Sequence, residues 1–141
     1  MSVRQISVFV ENQAGLLSEV TTTLADNGIN LRALSIADTT DFGILRIIVE
    51  DVDAAAKILH ENGYTYTVTP VLAVKMNDRA GGLAEILKVL ADAGIFLEYA
   101  YAFLLQKIGE ACLIIRVPDN EAAAKALAEA GIGIAEQEEL F

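Results

Sequence analysis

The chain has one cysteine, one histidine, two prolines and no tryptophan in 141 residues, and its ten Lys and Arg are outnumbered two to one by Asp and Glu. Each scarcity excludes something. A lone thiol, Cys112, allows no internal disulfide and suits a buried cysteine in a reducing compartment. The cations are scattered singly from Arg4 to Lys125 under a net charge of -10, so there is no basic stripe for a phosphate backbone or an anionic membrane surface. No apolar run approaches the roughly 18 to 20 residues of a spanning helix, and Met1 to Glu11 lacks the basic-then-apolar order of a signal peptide. These absences predict a cytoplasmic protein that binds neither nucleic acid nor membrane. What the chain has in abundance is hydrophobic residues, 54% of positions, and a length that suits one ordinary domain or two small ones.

An internal repeat decides between them. Sliding the chain by 66 places Ala14, Gly15, Leu17, Glu19, Leu24, Ala25, Asp26, Gly28, Ile29 and Leu31 on identical residues from Ala80 to Leu97, ten of the twenty positions between Asn12 and Leu31. After a two-residue insertion Ala54-Ala55-Ala56-Lys57 meets Ala122-Ala123-Ala124-Lys125, and Gly63 meets Gly131. Two copies of a unit of about 70 residues are implied, 1–69 and 70–141, divided near Pro70. Two copies are too few for a solenoid, so paired domains are expected.

Each copy has the same element pattern. An alternating strand (Ile6, Val8, Val10; Leu72, Val74, Met76) leads through a polar Gly-containing turn to a helix. That helix is expected to bury Leu17, Val20 and Leu24, or Leu83, Ile86, Leu87 and Leu90, and to stop at Gly28 or Gly94. Strands follow at about Leu31–Asp38 and Ile44–Val49 (Leu97–Leu105 and Ala111–Val117), with turns at Asp38–Gly43 and Gln106–Gly109. An Ala-rich helix then starts at an N-cap, Asp53 or Asn120, and ends at Gly63 or Gly131. A last strand, Tyr64–Thr69 or Ile132–Glu136, completes βαββαβ. This is the α+β, ferredoxin-like arrangement, an antiparallel sheet with both helices on one face.

The helix-free face can be read from strand phase. Phe9 and Lys75 share it in the first strand, and Arg46, Glu110, Cys112 and Arg116 share a phase with Ile44, Ile48 and Ile114 in the third. Leu34 and Ile36 are assigned to the core, which leaves Tyr99, Tyr101 and Phe103 on the helix-free side. So apolar a face predicts burial in a homo-oligomer. A phase slip of one residue is the alternative, and would return the aromatics to the core.

The segments Glu11-Asn12-Gln13-Ala14-Gly15-Leu16-Leu17 and Ala25-Asp26-Asn27-Gly28-Ile29-Asn30-Leu31, repeated as Asn77-Asp78-Arg79-Ala80-Gly81-Gly82-Leu83 and Ala91-Asp92-Ala93-Gly94-Ile95-Phe96-Leu97, resemble the ACT domain family, small-molecule-binding regulatory modules of amino-acid metabolism. The resemblance spans nearly the whole chain and leaves no room for a catalytic domain. It implies a stand-alone tandem ACT protein: two units side by side in one eight-stranded sheet, an amino acid held where the first turn of one unit faces the second strand of its neighbour, and a partner enzyme. The ligand-binding residues so implied are Asn12, Gln13, Ala14, Gly15, Leu16 and Leu17 with Tyr99, Ala100 and Tyr101, and Asp78, Arg79, Ala80, Gly81, Gly82 and Leu83 with Ala33 and Leu34. The chemistry is general. Unpaired amides and the dipole at a helix start suit a carboxylate, glycine allows close approach, and strand carbonyls or Asn12 and Asp78 can accept from an ammonium.

The copies differ. Asn12-Gln13 is neutral where Asp78-Arg79 is charged, Leu16 becomes Gly82, and both turns carry alanine (Ala14, Ala80) where the family often has proline, so the two sites are not expected to bind one ligand equally. The turns can also be plain helix starts capped by Asn12 and Asp78. No other chemistry is legible. His60 is expected to face solvent, Cys112 to pack, and Glu136, Glu138 and Glu139 to form a solvated end, so neither catalytic residues, nor a metal, nor a cofactor is expected. A non-catalytic amino-acid sensor is the leading reading, with a constitutive subunit that docks a metabolic enzyme as the alternative.

Overall fold

The computed structural model describes residues 2–11, 13–38, 41–103 and 110–141, with Phe103 described in its backbone alone. The chain divides into two compact units, Arg4–Thr69 and, joined by the first residues of the chain, Pro70–Phe141.

The first unit is built from β1 (Val3–Glu11), α1 (Leu16–Asp26), β2 (Ala33–Asp38), β3 (Phe42–Ile48), α2 (Val52–Glu61) and the start of β4 (Thr65–Asn77), with strand order β2-β3-β1-β4. Ile6, Val8 and Val10 alternate along β1 and pack with Leu45 and Ile47 of β3 against Val20, Leu24, Ala55 and Leu59 of the helices. The predicted phase of both strands therefore holds. The second unit uses the rest of β4, then α3 (Gly82–Asp92), β5 (Tyr99–Phe103), β6 (Glu110–Arg116), α4 (Asn120–Glu129), β7 (Ile134–Ala135) and a 3-10 turn, Gln137–Leu140. Its order is β5-β6-β4, with β7 also on β4. Its core repeats the first: Leu72, Val74, Leu113 and Ile115 meet Ile86, Leu90, Ala123 and Leu127.

Several expectations are corrected. The described strands number seven, not eight, because the fourth strand of the first copy and the first strand of the second are one continuous strand, β4. Pro70 does not interrupt it, since its fixed φ fits an extended backbone and only its donor is missing. Its carbonyl accepts from Asn120 Nδ2 at 3.2 Å and Arg116 Nη1 at 3.4 Å. Asp53 and Asn120 are inside their helices. The N-caps are Asp51 and Asp119, whose carboxylates accept from the amides of Ala54 at 3.0 Å and Ala122 at 3.1 Å. In α3 only Ile86 and Leu90 of the four predicted core residues are buried, while Leu83 and Leu87 face solvent. Leu34 and Ile36 do point to the helix side, opposite Ile47 and Leu45, yet they stand 52% and 55% exposed because β2 is an edge strand that no helix reaches over.

On the helix-free side Tyr99 and Tyr101 pair with Arg116 and Ile114, as the alternation implies, and the Phe103 backbone pairs with that of Cys112. That side is less open than expected. Ile48, Ile114 and Cys112 are fully buried within the single chain, and Tyr99 and Tyr101 are half-buried. The acidic end is not merely solvated either: Glu136 and Glu139 form a reciprocal cap on the 3-10 turn, and Leu140 is buried. The turn placed at Gln106–Gly109 lies outside the described residues.

Candidate functional site

The two predicted turns fold alike. In the first, the amide of Gln13 donates to Glu11 O at 2.8 Å, that of Leu16 to Gln13 O at 3.3 Å, and that of Glu19 to Gly15 O at 2.9 Å. In the second, Arg79, Gly82 and Glu85 donate to Asn77, Arg79 and Gly81 at 2.9, 3.0 and 3.0 Å. Both N-caps are glycines at φ 90°, Gly15 and Gly81, a left-handed conformation that suits glycine alone among ordinary residues. Having no side chain, they provide no cap, and Asp78 is not one. The first-turn amides of Leu17 and Ser18, and of Leu83 and Ala84, are left without a capping side chain at the positive end of each helix.

Gln13, Ala14 and Gly15 are exposed, as are Asp78, Arg79, Ala80, Gly81 and Leu83. Leu16 and Leu17 are half-buried against the first core, and Gly82 is buried. Asn12 lies outside the described residues. On the strands, Ala33 is buried and Leu34 exposed, Tyr99 and Tyr101 lie on the helix-free face, and Ala100 is exposed on the other. The charge contrast between the copies is partly cancelled, because Arg79 is ion-paired with Glu85 beside its own turn. Glu19, the counterpart of Glu85, accepts instead from Tyr64 Oη at 3.1 Å.

Sequence reasoning missed a cavity of about 780 Å³ in the second unit. The end of β4 (Lys75, Met76, Asn77), the start of α3 (Gly82, Glu85, Ile86), the start of β6 (Glu110, Ala111, Cys112), residues 130–133, Ala135, Glu139 and Leu140 line it. Gly82 alone of the predicted site residues is among them. A signal was present, since the second copy has glycine at positions 82 and 133 where the first has Leu16 and Thr65.

His60 is exposed, as expected. Cys112 is buried, and desolvation pushes its thiol up to about 11, with Lys75 opposing the shift. A thiol so protonated is a poor nucleophile. Its alkylation by iodoacetamide is expected to be far slower than that of the unfolded chain at pH 8 and to climb toward pH 11; a rate equal to that of the unfolded chain at pH 8 would show the thiol to be exposed. Among the described residues no group of three or more His, Cys, Asp or Glu is placed to hold a metal, and no helix is long and apolar enough to cross a membrane.

The fold has close counterparts. Protein BT0572 from Bacteroides thetaiotaomicron matches with a TM-score of 0.91 at 38% identity, over 99% of this chain and 96% of its own. The ligand-free regulatory subunit of aspartate kinase from Thermus thermophilus matches with a TM-score of 0.61 at 20% identity, over 90% and 91%. Aspartokinase III of E. coli, in complex with aspartate and ADP, matches with a TM-score of 0.56 at 16% identity, over 91% of this chain and 31% of its own. No curated protein matches. The ACT domain pair family matches residues 1–141, the whole of the repeat. With two βαββαβ copies, two congruent glycine-capped turns and this match from end to end, the chain belongs to the ACT domain pair family.

Proposed function

We propose that the protein is a non-catalytic regulatory module that binds an amino acid at its two glycine-capped turns. The observation that carries this reading is the pair of turns themselves. Both present first-turn amides with no capping side chain, behind a glycine at φ 90° that leaves the backbone open to a carboxylate. Ligand atoms would meet Gln13, Ala14, Gly15 and the first-turn amides on one side, and Asp78, Arg79, Ala80 and Gly81 on the other. On the second strands Tyr99, Ala100 and Tyr101, and Ala33 and Leu34, are the further candidate contacts. The fold shared with a regulatory subunit of aspartate kinase is in keeping with a module read by a partner enzyme. A ligand transmits a signal only through different affinities for two arrangements of the protein.

Self-association also belongs to the proposal, on different residues from those the sequence suggested. Leu34, Ile36 and Phe42 are exposed in the first unit, and Leu83, Leu87 and Phe96 in the second. A homodimer covering one of these groups is expected to run at about twice the 15.1 kDa of the chain in light scattering.

Thermal melting across the twenty amino acids tests the binding reading. One or a few should raise the midpoint selectively, by a stabilisation of about 2.7 kcal/mol when the ligand reaches a hundred times its dissociation constant. If none of the twenty moves the midpoint at millimolar concentration, the constitutive docking subunit replaces the sensor.

A further inference from the structure

The cavity of the second unit lies where the second copy has lost bulk. Leu16 of the first copy corresponds to Gly82, and Tyr64 and Thr65 correspond to Ile132 and Gly133. In the first unit Leu16 and Tyr64 pack against the core, whereas Gly82, Ile132 and Gly133 line the cavity. Its volume, about 780 Å³, is that of a small-molecule pocket. Met76, Ile86, Ala111, Ile132 and Leu140 give it an apolar wall.

Among the described residues of the lining Lys75 is the one cation, and it stands where the first copy has Phe9. Its Nζ is 3.6 Å from Glu139 Oε2, an oxygen that also accepts the Glu136 amide at 2.9 Å. Two more carboxylates stand in the wall, Glu85, which is committed to Arg79, and Glu110, which is exposed at the start of β6. The chain thus delivers a carboxylate of its own to the ammonium, on a short 3-10 turn anchored by buried Leu140. Both partners of the ion pair are about half exposed, at 56% and 50%, so an outside anion can compete for Lys75.

We propose that this cavity binds a small monocarboxylic acid with a branched apolar body, whose carboxylate takes Lys75 from Glu139, and that the Gln137–Leu140 turn is its internal competitor. The site borders the second glycine-capped turn at Asn77 and Gly82, lies on the inner side of α3, and needs no α-ammonium on the ligand.

Calorimetric titration of the full chain with 4-methylpentanoate, its neutral amide and 3-methylbutylamine tests this. Only the acid is expected to bind. Glu139→Gln should tighten it by roughly two- to fivefold, the worth of a half-exposed ion pair. Lys75→Met should abolish binding. So should Ile132→Tyr with Gly133→Thr, which restores the bulk of the first copy; a Cβ at Gly133 meets the Lys75 stem at 3.1 Å, a contact that a flexible side chain relieves. Melting curves of the free variants confirm that each is folded. Equal binding of the amide or the amine, unchanged affinity in folded Lys75→Met, or no binding by either wild type or Glu139→Gln at 10 mM acid would overturn the proposal.

Discussion

Gly82→Leu, which installs the residue that the first copy carries at the same place, is expected to destabilise the second unit severely, and Gly82→Ala to cost more than about 3 kcal/mol, the upper end for overpacking. A Cβ at Gly82 would lie 2.1 Å from the Asn77 carbonyl oxygen and 3.3 Å from its carbon. Backbone cannot step aside as a side-chain tip can. The same oxygen accepts the Arg79 amide at 2.9 Å, so moving it away also breaks the turn that launches α3. The neighbouring glycine supplies the control. Gly81 sits at φ 90°, and a Cβ there has only Arg79 Nη1 within reach, at 4.0 Å. Gly81→Ala should therefore cost only the conformational strain, about 1–2 kcal/mol. Urea unfolding of the three variants gives the order directly. A Gly82→Ala protein as stable as Gly81→Ala would mean that the turn does not hold Asn77 O against residue 82.

The same turn shows how far sequence comparison reaches. The ten identities at offset 66 located both turns and the helices that follow them, and the phase of β1, β3, β6 and the second half of β4 gave their helix-facing side, although both faces of these strands are largely buried. Tyr99 and Tyr101 were placed on the correct side by the same rule. The misses come from properties that pattern does not encode. Thr65 to Asn77 reads as two strands because proline and a repeat boundary fall at residue 70, yet nothing there forces a turn and the strand runs through. Leu34 and Ile36 have a core-like phase, but burial also needs a neighbour, and an edge strand lacks one. Glu139 reads as a solvated charge because its partner, Lys75, is distant in sequence and the buried Leu140 next to it carries no periodic signal. The cavity was legible only as a difference between copies, in the glycines at 82 and 133, and its meaning depended on knowing that Leu16 and Tyr64 fill the corresponding space in the first unit.

Helix α3 gives the second large effect, and it separates residues that the sequence treats alike. Leu83, Ile86, Leu87 and Leu90 form one apolar stripe about 100° wide, the width that a core-facing helix needs. The second core covers only part of it. Ile86 and Leu90 are 2% exposed and pack with Leu72, Val74, Leu113 and Ile115, whereas Leu83 and Leu87 stand 45% and 37% exposed. Leu90→Ala is therefore expected to cost about 2–5 kcal/mol, the lost transfer energy plus the void left in a packed core. Leu83→Ala and Leu87→Ala should each cost only about 1 kcal/mol in the monomer, since close to half of each side chain is already in solvent and alanine's helix propensity returns a few tenths. Equilibrium urea unfolding at micromolar concentration measures all three. Comparable losses at Leu87 and Leu90 would mean that α3 is rotated toward the phase its sequence suggests. If the Leu87→Ala penalty grows with protein concentration while the Leu90→Ala penalty does not, the exposed side of α3 that carries Leu83 and Leu87 is the surface on which the protein self-associates.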